Sequence, residues 1–496
     1  MAKTFKNFIA GQWVAPQAGH YFVNRNPADT SDIIGRFPDS RVADVAQAIR
    51  SAKEGFALWS RTPAPLRGDV LRRVGDLLTA RKEEIANAMT REMGKVLAET
   101  RGDVQEGIDT AYYAATEGRR LFGRTVPSEL RRKWAMSMRR PIGIAGLITP
   151  FNFPMAIPTW KAFPALLCGN AVIFKPSHDV PHTGHLLVEV LLEAGLPPSV
   201  IQLVHGGHIV GNALVTSEAV PVISFTGSTE TGSRIGEVCG RMHKRLSLEM
   251  GGKNAMIVMD DAALDLAVDG LLWGAFGTTG QRCTATSRLI IHRKVHDRFM
   301  TKLVSATERL ILGDGRAPRT QVGPMIHEGA RENVERYVEI GLAQGAELVT
   351  GGRRPKGARF AQGWFYQPTI FTNVKPGSRL ALEEIFGPVL SVIQVGSYDQ
   401  AVKVNNEVQY GLSSAIYTRD VNLAFRAMED LQNGITYINA PTIGAEAHLP
   451  FGGVKQTGNG HREGGWEVYD FYSETKVCYV DFSGSLQRAQ IDTYDA

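Results

Sequence analysis

The chain has 496 residues, 43% hydrophobic, 8% aromatic and 21% charged, with 52 Gly and 24 Pro. That composition excludes wholesale disorder, collagen-like repeats and a coiled coil, and the length suggests roughly two to four domains. Lys plus Arg number 55 against 50 Asp plus Glu; the excess is spread along the chain, so it offers neither a nucleic-acid groove nor a membrane-surface stripe and mildly favours an anionic ligand.

Residues 43–119 carry a helical rhythm: Val45, Ile49, Ala52 and Phe56 recur at three- and four-residue steps, as do Val70, Val74, Leu77 and Leu78. Strands then alternate with helices. A buried strand is predicted over 142–149, a loop at Pro150-Phe-Asn-Phe-Pro154 and a helix over 155–168. The apolar run 171–174 reads as a strand, and 182–194 as a helix closed by Gly195 and Pro197. Residues 201–204 and 220–225 read as further strands. The alternation resumes with strands at 255–259 and 289–291, a helix over 295–311, loops at 351–355 and 376–377, and a last strand near 475–480. Such alternation predicts parallel sheets with crossover helices, a common frame for a nucleotide site. No internal repeat is present.

Cys168, Cys239, Cys283 and Cys478 form no disulfide framework and no metal-binding spacing. The first residues carry no apolar run behind their positive charges, which predicts no secretory signal. The longest charge-free stretch, 141–160, is broken by four prolines and cannot be a spanning helix. These features predict a cytoplasmic protein with reduced thiols and no membrane or nucleic-acid partner.

The chemistry-bearing residues sit on glycine- or proline-marked loops. Phe225-Thr-Gly-Ser-Thr-Glu-Thr-Gly232 follows a strand and opens a helix, so its small residues let backbone N–H groups approach a phosphate; a generic glycine turn satisfies the same pattern. Lys175-Pro-Ser-His178 ends a strand, where open sheets bind ligands, although a solvated loop lysine also fits. Cys283 lies in Gly280-Gln-Arg-Cys-Thr284, where the positive charge of Arg282 predicts a lowered thiol pKa; an inert core cysteine is the plainer alternative. Glu249 ends an apolar alternation just before Gly251 and Gly252, a seat for a general base, a surface residue or a helix cap. Asn152 could donate to an oxyanion or simply form a turn. Together a nucleophile, a base and an oxyanion donor suit attack on a carbonyl. No His, Cys or carboxylate cluster has metal spacing.

At this point the chain resembles the aldehyde dehydrogenase superfamily. Pro150-Phe-Asn-Phe-Pro154, Phe225 to Gly232, Leu248-Glu-Met-Gly-Gly-Lys253, Gly280-Gln-Arg-Cys283, Glu383-Glu-Ile-Phe-Gly-Pro388 and Pro450-Phe-Gly-Gly-Val-Lys455 occur in the family's order. The likeness runs from Asn7-Phe-Ile-Ala-Gly-Gln-Trp13 to Thr475-Lys476. It implies an α/β fold of two Rossmann-like lobes: a cofactor domain (1–119 with 142–249) and a catalytic domain (250–470). A β-arm oligomerisation element (120–141 with 471–496) would extend a partner's sheet in a homodimer or homotetramer.

The resemblance implies NAD or NADP as cofactor, no metal, and a small aldehyde as substrate. It makes Cys283 the nucleophile, Glu249 the general base, and Asn152 with the Cys283 backbone N–H the oxyanion hole. Cofactor contacts fall on Thr149, Lys175, Ser177, His178, Gly227, Ser228, Glu384 and Phe386. The implied reaction passes through a thiohemiacetal and a thioester that Glu249 hydrolyses with water. Many members have Glu at the place of His178, where it repels a 2′-phosphate, so His178 predicts that NADP is tolerated. Phe153, Arg282 and the loop bearing Ile443, Gly444 and Ala445 look like the subgroup handling carboxylate-bearing semialdehydes of the 2-oxoglutarate or aminoadipate type. A structural salt bridge is the alternative use of Arg282. A coenzyme-A-acylating enzyme of the same fold and a non-catalytic binding protein are the competing readings, both disfavoured by retention of Glu249 together with Cys283.

Overall fold

The computed structural model describes residues 2–491. The helical rhythm near the start resolves into four helices, Val42–Trp59, Ala64–Ala80, Lys82–Met93 and Leu97–Glu117. Val45, Ala48 and Ala52 on the first, and Val70, Val74 and Leu78 on the second, form the buried stripes that attach them. The third stops where Gly94 turns left-handed at φ 90°.

The first sheet has seven strands in the order Arg245–Glu249, Val222–Thr226, Ile144–Ile148, Ala171–Lys175, Ile201–Leu203, Asn7–Ile9, Gln12–Val14. The first five run parallel and the two N-terminal strands add antiparallel at the edge. Its central strands are apolar without alternation because helices cover both faces. Those helices are Val42–Trp59, Ala156–Leu167, Pro181–Glu193, His208–Thr216 and Thr229–Arg241. At the other edge, the Asn459 side chain satisfies the Arg245–Glu249 strand, accepting from Leu248 N–H at 2.9 Å and donating to the Leu246 carbonyl at 2.7 Å.

The second sheet also has seven strands, in the order Glu347–Thr350, Thr369–Thr372, Val389–Val395, Thr286–His292, Asn254–Val258, Ser413–Tyr417, Ile435–Ile438. All are parallel except the first. Residues 250–253 alone join the two sheets, running from Glu249 to Asn254. A separate three-stranded sheet zips Ser473–Asp481 onto Lys133–Pro141, with Thr125–Pro127 outside. The tail expectation beyond 491 lies outside the described residues.

The α/β architecture is the one the alternation predicts, with differences at its margins. The N-terminal strands and the hairpin Tyr21–Asn26 with Asp29–Pro38 were not anticipated, and neither were the helices His208–Thr216 and Glu328–Ala343. Among the described residues no helix is long and apolar enough to cross a membrane.

Candidate active site

The strand Arg245–Glu249 carries Glu249 to its C-terminal end, and the chain crosses to the second sheet through Gly251 and Gly252. Neither glycine has room for a side chain: a Cβ at Gly251 would lie 2.3 Å from Glu384 Oε2, and one at Gly252 would lie 2.5 Å from the Cys283 carbonyl oxygen. The same crossing therefore touches the segments bearing Glu384 and Cys283. Asn254, just beyond, donates its amide to the Cys283 and Ala285 carbonyls at 2.7 and 3.0 Å.

Cys283 and Glu249 line one cavity of about 350 Å³ with Phe153, Arg282, Thr284, Gly444 and Ala445. Aromatic walls come from Phe153, Trp160, Trp273 and Phe451, the Trp160 and Phe451 rings being 4.9 Å apart. Glu99, Asp103, Glu106 and Glu463 also reach it. Asn152 and Ile443 do not line this cavity; both are buried beside it, and Asn152 Oδ1 has no hydrogen-bond partner.

The expectation that Arg282 lowers the thiol pKa is corrected. The guanidinium turns to Glu99 (Nη2 to Oε1, 2.8 Å) and to Thr278 Oγ1 (2.9 Å from Nε). Burial, then the Glu249 and Glu384 carboxylates, instead push the Cys283 thiol up to about 12. Glu249 is pushed well above the usual carboxylate range by burial and then by the Glu463 carboxylate, and its Oε1 has no partner.

Glu463 and Lys161 were missed in the sequence. Lys161 lies inside the apolar helix Ala156–Leu167, and its ammonium donates to Glu463 Oε1 at 2.6 Å and Ser224 Oγ at 2.8 Å, all three side chains being buried. A lysine at a core position of a helix was the one available signal.

The predicted cofactor residues fall into three groups. Lys175 and His178 share an open cleft of about 670 Å³ with Arg25, Asp39, Asp179, His208 and His327. Burial lowers the Lys175 pKa to about 8, and its ammonium bonds only the Pro176 carbonyl, at 3.0 Å. His178 is mostly exposed and sits 3.5 Å from Asp179. Ser177 donates to Asp179 at 3.0 Å, and Thr149 is buried against the Lys175 carbonyl. Next, Ser228 caps the helix Thr229–Arg241 by accepting from Thr231 N–H at 3.3 Å. Gly227 lies under the Phe225 ring, which a Cβ would meet at 2.5 Å. Last, Glu384 and Phe386 line a crevice with Gly252 and Arg282. Glu384 accepts from Gly252 N–H at 2.9 Å, and burial raises its pKa to about 7. Phe386 sits at φ 56°, a left-handed conformation unusual for an aromatic residue, with its ring edge-on to Phe151. Among the described residues no group of three or more His, Cys, Asp or Glu is placed to hold a metal ion.

A model described as the aldehyde dehydrogenase family matches residues 13–478. The chain is 39% identical to alpha-ketoglutaric semialdehyde dehydrogenase of Bacillus subtilis over 96% of its own length and 98% of that protein's. It superposes on a crystal structure of betaine aldehyde dehydrogenase from Staphylococcus aureus in complex with NAD+ with a TM-score of 0.94, at 31% identity, covering 97% of this chain and 96% of that one. An NADP-dependent enzyme of E. coli gives a TM-score of 0.93 at 35% identity, covering 97% and 98% of the two chains.

Proposed function

The chain belongs to the aldehyde dehydrogenase family and is an NAD(P)-dependent aldehyde dehydrogenase, and on that premise we propose that it oxidises a carboxylate-bearing semialdehyde to the acid through a covalent bond to Cys283. The observation that carries this reading is the meeting of Cys283, Glu249 and Arg282 in one aromatic-walled cavity, although they come from separate segments.

The half-buried carboxylate of Glu384, the buried ammonium of Lys175 bonded to a backbone carbonyl, and the close-packed glycines between the sheets fit a dinucleotide. When bound, the nicotinamide group supplies the hydride acceptor; Lys175 would hold the adenosine ribose and Glu384 the nicotinamide ribose. The chain's own residues do the rest. Cys283 must lose its proton before it attacks, and Glu249, itself held towards the neutral form, is the base within reach of the same cavity. The sulfur adds to the aldehyde carbon. The Cys283 backbone N–H receives the oxyanion, Asn152, buried just behind the cavity wall, would have to turn its amide inward to join it, and a carbon–sulfur thioester remains after oxidation. After passing the thiol's proton to solvent, Glu249 takes a proton from water, whose oxygen adds to the thioester carbon and expels the Cys283 thiolate as the acid leaves. Glu463 keeps Glu249 basic by repulsion.

The cavity's charge supports a substrate with a carboxylate. Asp103 is neutralised by Lys95 at 2.6 Å and Glu99 by Arg282, while burial raises Glu106 to about 7. Arg282 spends Nε and Nη2 on Thr278 and Glu99, so Nη1 is what it has left to donate to a substrate carboxylate in the cavity it shares with Gly444 and Ala445. For the cofactor, the cleft at Lys175 sets Arg25, His178, His208 and His327 beside two carboxylates, Asp39 and Asp179, and the imidazole of His178 in place of a third carboxylate supports tolerance of a 2′-phosphate.

The test is a panel of semialdehydes of the 2-oxoglutarate and aminoadipate type and neutral aldehydes of matched length, each run with NAD and NADP. The expected result is acid formation with both cofactors and a kcat/KM about tenfold or more higher for the carboxylate-bearing members, the worth of one charge-assisted hydrogen bond. Equal efficiency on neutral aldehydes sinks the substrate reading, and undetectable NADP turnover sinks the cofactor reading.

A further inference from the structure

Thr278, Thr279 and Gly280 stand in succession in the left-handed region, at φ 51°, 57° and 68°, just ahead of Cys283. Glycine adopts this conformation freely, and here it must: a Cβ at Gly280 would lie 2.3 Å from the Gly387 carbonyl oxygen. Two consecutive β-branched residues do not adopt it freely. Something outside the turn therefore has to hold it.

The holder comes from the N-terminal helical layer. Glu99, in the first turn of Leu97–Glu117, accepts the Thr278 N–H with both carboxylate oxygens, at 2.8 and 3.1 Å. The same carboxylate pairs with Arg282 Nη2 at 2.8 Å, and Arg282 Nε returns to Thr278 Oγ1 at 2.9 Å. Glu99, Thr278 and Arg282 thus close a ring of hydrogen bonds around the turn. Thr279 Oγ1 adds a bond to the Gly323 carbonyl at 3.0 Å, and Gln281 Oε1 accepts from Ile326 N–H at 2.9 Å. The helix bearing Glu99 is itself tied down, Leu97 N–H donating to the Gly315 carbonyl at 3.0 Å.

We infer that Glu99 is a positioning residue for the nucleophile: its carboxylate clamps the left-handed Thr278–Thr279 turn and so sets the direction in which Cys283 presents its sulfur. The inference rests on Cys283 as nucleophile but not on the identity of the aldehyde. It differs from a substrate-anchoring role for the Glu99–Arg282 pair, because a clamp acts on every aldehyde alike and an anchor only on those bearing a charge.

The experiment compares Glu99→Ala and Glu99→Gln with the unaltered enzyme on one neutral aldehyde and one carboxylate-bearing semialdehyde. The rate of Cys283 alkylation by iodoacetamide and the melting temperature are followed alongside. A clamp predicts that Glu99→Ala lowers kcat about 10²-fold on both aldehydes with little change in KM, and slows alkylation, since a misplacement of about an ångström has that cost. Glu99→Gln keeps one acceptor oxygen for the Thr278 N–H and recovers most of the loss. A KM rise confined to the charged substrate, with kcat and alkylation unchanged, overturns the clamp and leaves the proposed reaction standing. Should Glu99→Ala fail to fold, Glu99→Asp, which keeps the charge but draws the carboxylate back from the Thr278 N–H by one methylene, takes its place: lower kcat on both aldehydes and slower alkylation are expected, and unchanged kcat and alkylation overturn the clamp. Full turnover by Cys283→Ala would instead remove the nucleophile and, with it, both readings.

Discussion

Glu249 is an acid placed where its charged form is expensive. It is buried, it faces the Glu463 carboxylate, and Lys161, the nearest buried cation, is already bonded to Glu463. Its folded-state pKa is raised, so the basic form gains population only as pH climbs above the ordinary carboxylate range. Hydrolysis of the thioester is accordingly expected to be slow in mildly acidic solution and to rise with pH. Glu249→Gln should lower steady-state acid formation by roughly 10²–10⁴-fold, and should slow the first turnover of nicotinamide reduction as well, because the same carboxylate takes the thiol proton. A steady-state rate untouched by that change would remove Glu249 from the proposed mechanism. At this scale the sequence was legible where chemistry is carried by short local patterns: Cys283 and Glu249 announced themselves through neighbouring glycines. It was illegible where a partner arrives from far along the chain, as Glu463 does at Lys161 and Glu99 at Arg282. The thiol's pKa was misread because burial, which no local pattern announces, dominates it, and because the charge next to Cys283 in sequence is spent on a carboxylate 183 positions away.

The elements that carry the site were legible because buried parallel strands are continuous apolar runs with sharp edges. Ala171–Lys175 and Ile201–Leu203 fall within a residue of their expected ends. Tyr21–Asn26 and Asp29–Pro38 were not legible: they pair through polar residues and register shifts that leave no alternation. One packed region makes a measurable demand on pH. The helix Pro181–Glu193 buries His182 and His185 against Phe5, and His205 lies against Phe37, with both of its ring nitrogens unpartnered. Burial lowers His182 to about 4, with His185, Lys3 and Arg91 lowering it further and Glu189 opposing; His205 falls well below its ordinary value through burial, then His185, Lys175 and His182. The unfolded chain takes up these protons below about 6.5, and the folded one refuses them until about 4 for His182. Stability is therefore fully present above the first value and is lost as pH falls towards the second. Glu106 and Glu384, raised to about 7, act in the opposite sense over the same window, so the histidine share is read as a difference: His205→Phe should lose less melting temperature between neutrality and pH 4 than the unaltered protein does. Identical pH profiles for the two proteins would contradict this account.

At the scale of the molecule, the three-stranded appendage shows an exposed apolar face. Trp134 and its cross-strand partner Val480 are 57% and 51% exposed, with Met138 on the same face, on strands drawn from two distant parts of the chain. Exposure of that kind marks an interaction surface, and we propose a second copy of the chain as the occupant. Deleting 473–496 should shift the particle mass in light scattering from an oligomer to the monomer. A full-length protein that sediments as a monomer, or a truncated one that keeps its mass, would refute the proposal.

The bridge of residues 250–253 has a consequence of its own. It carries the chain directly from the first sheet into the second, its glycines packed against Glu384 and Cys283, and so it is the ruler that sets how far the proposed base stands from the proposed nucleophile. Splicing one extra amino acid into it would spare each half its fold and its ligands, yet shear the two reactive atoms out of register. Such a protein would be sound in every part and idle as a whole, because here the connection itself is a working component.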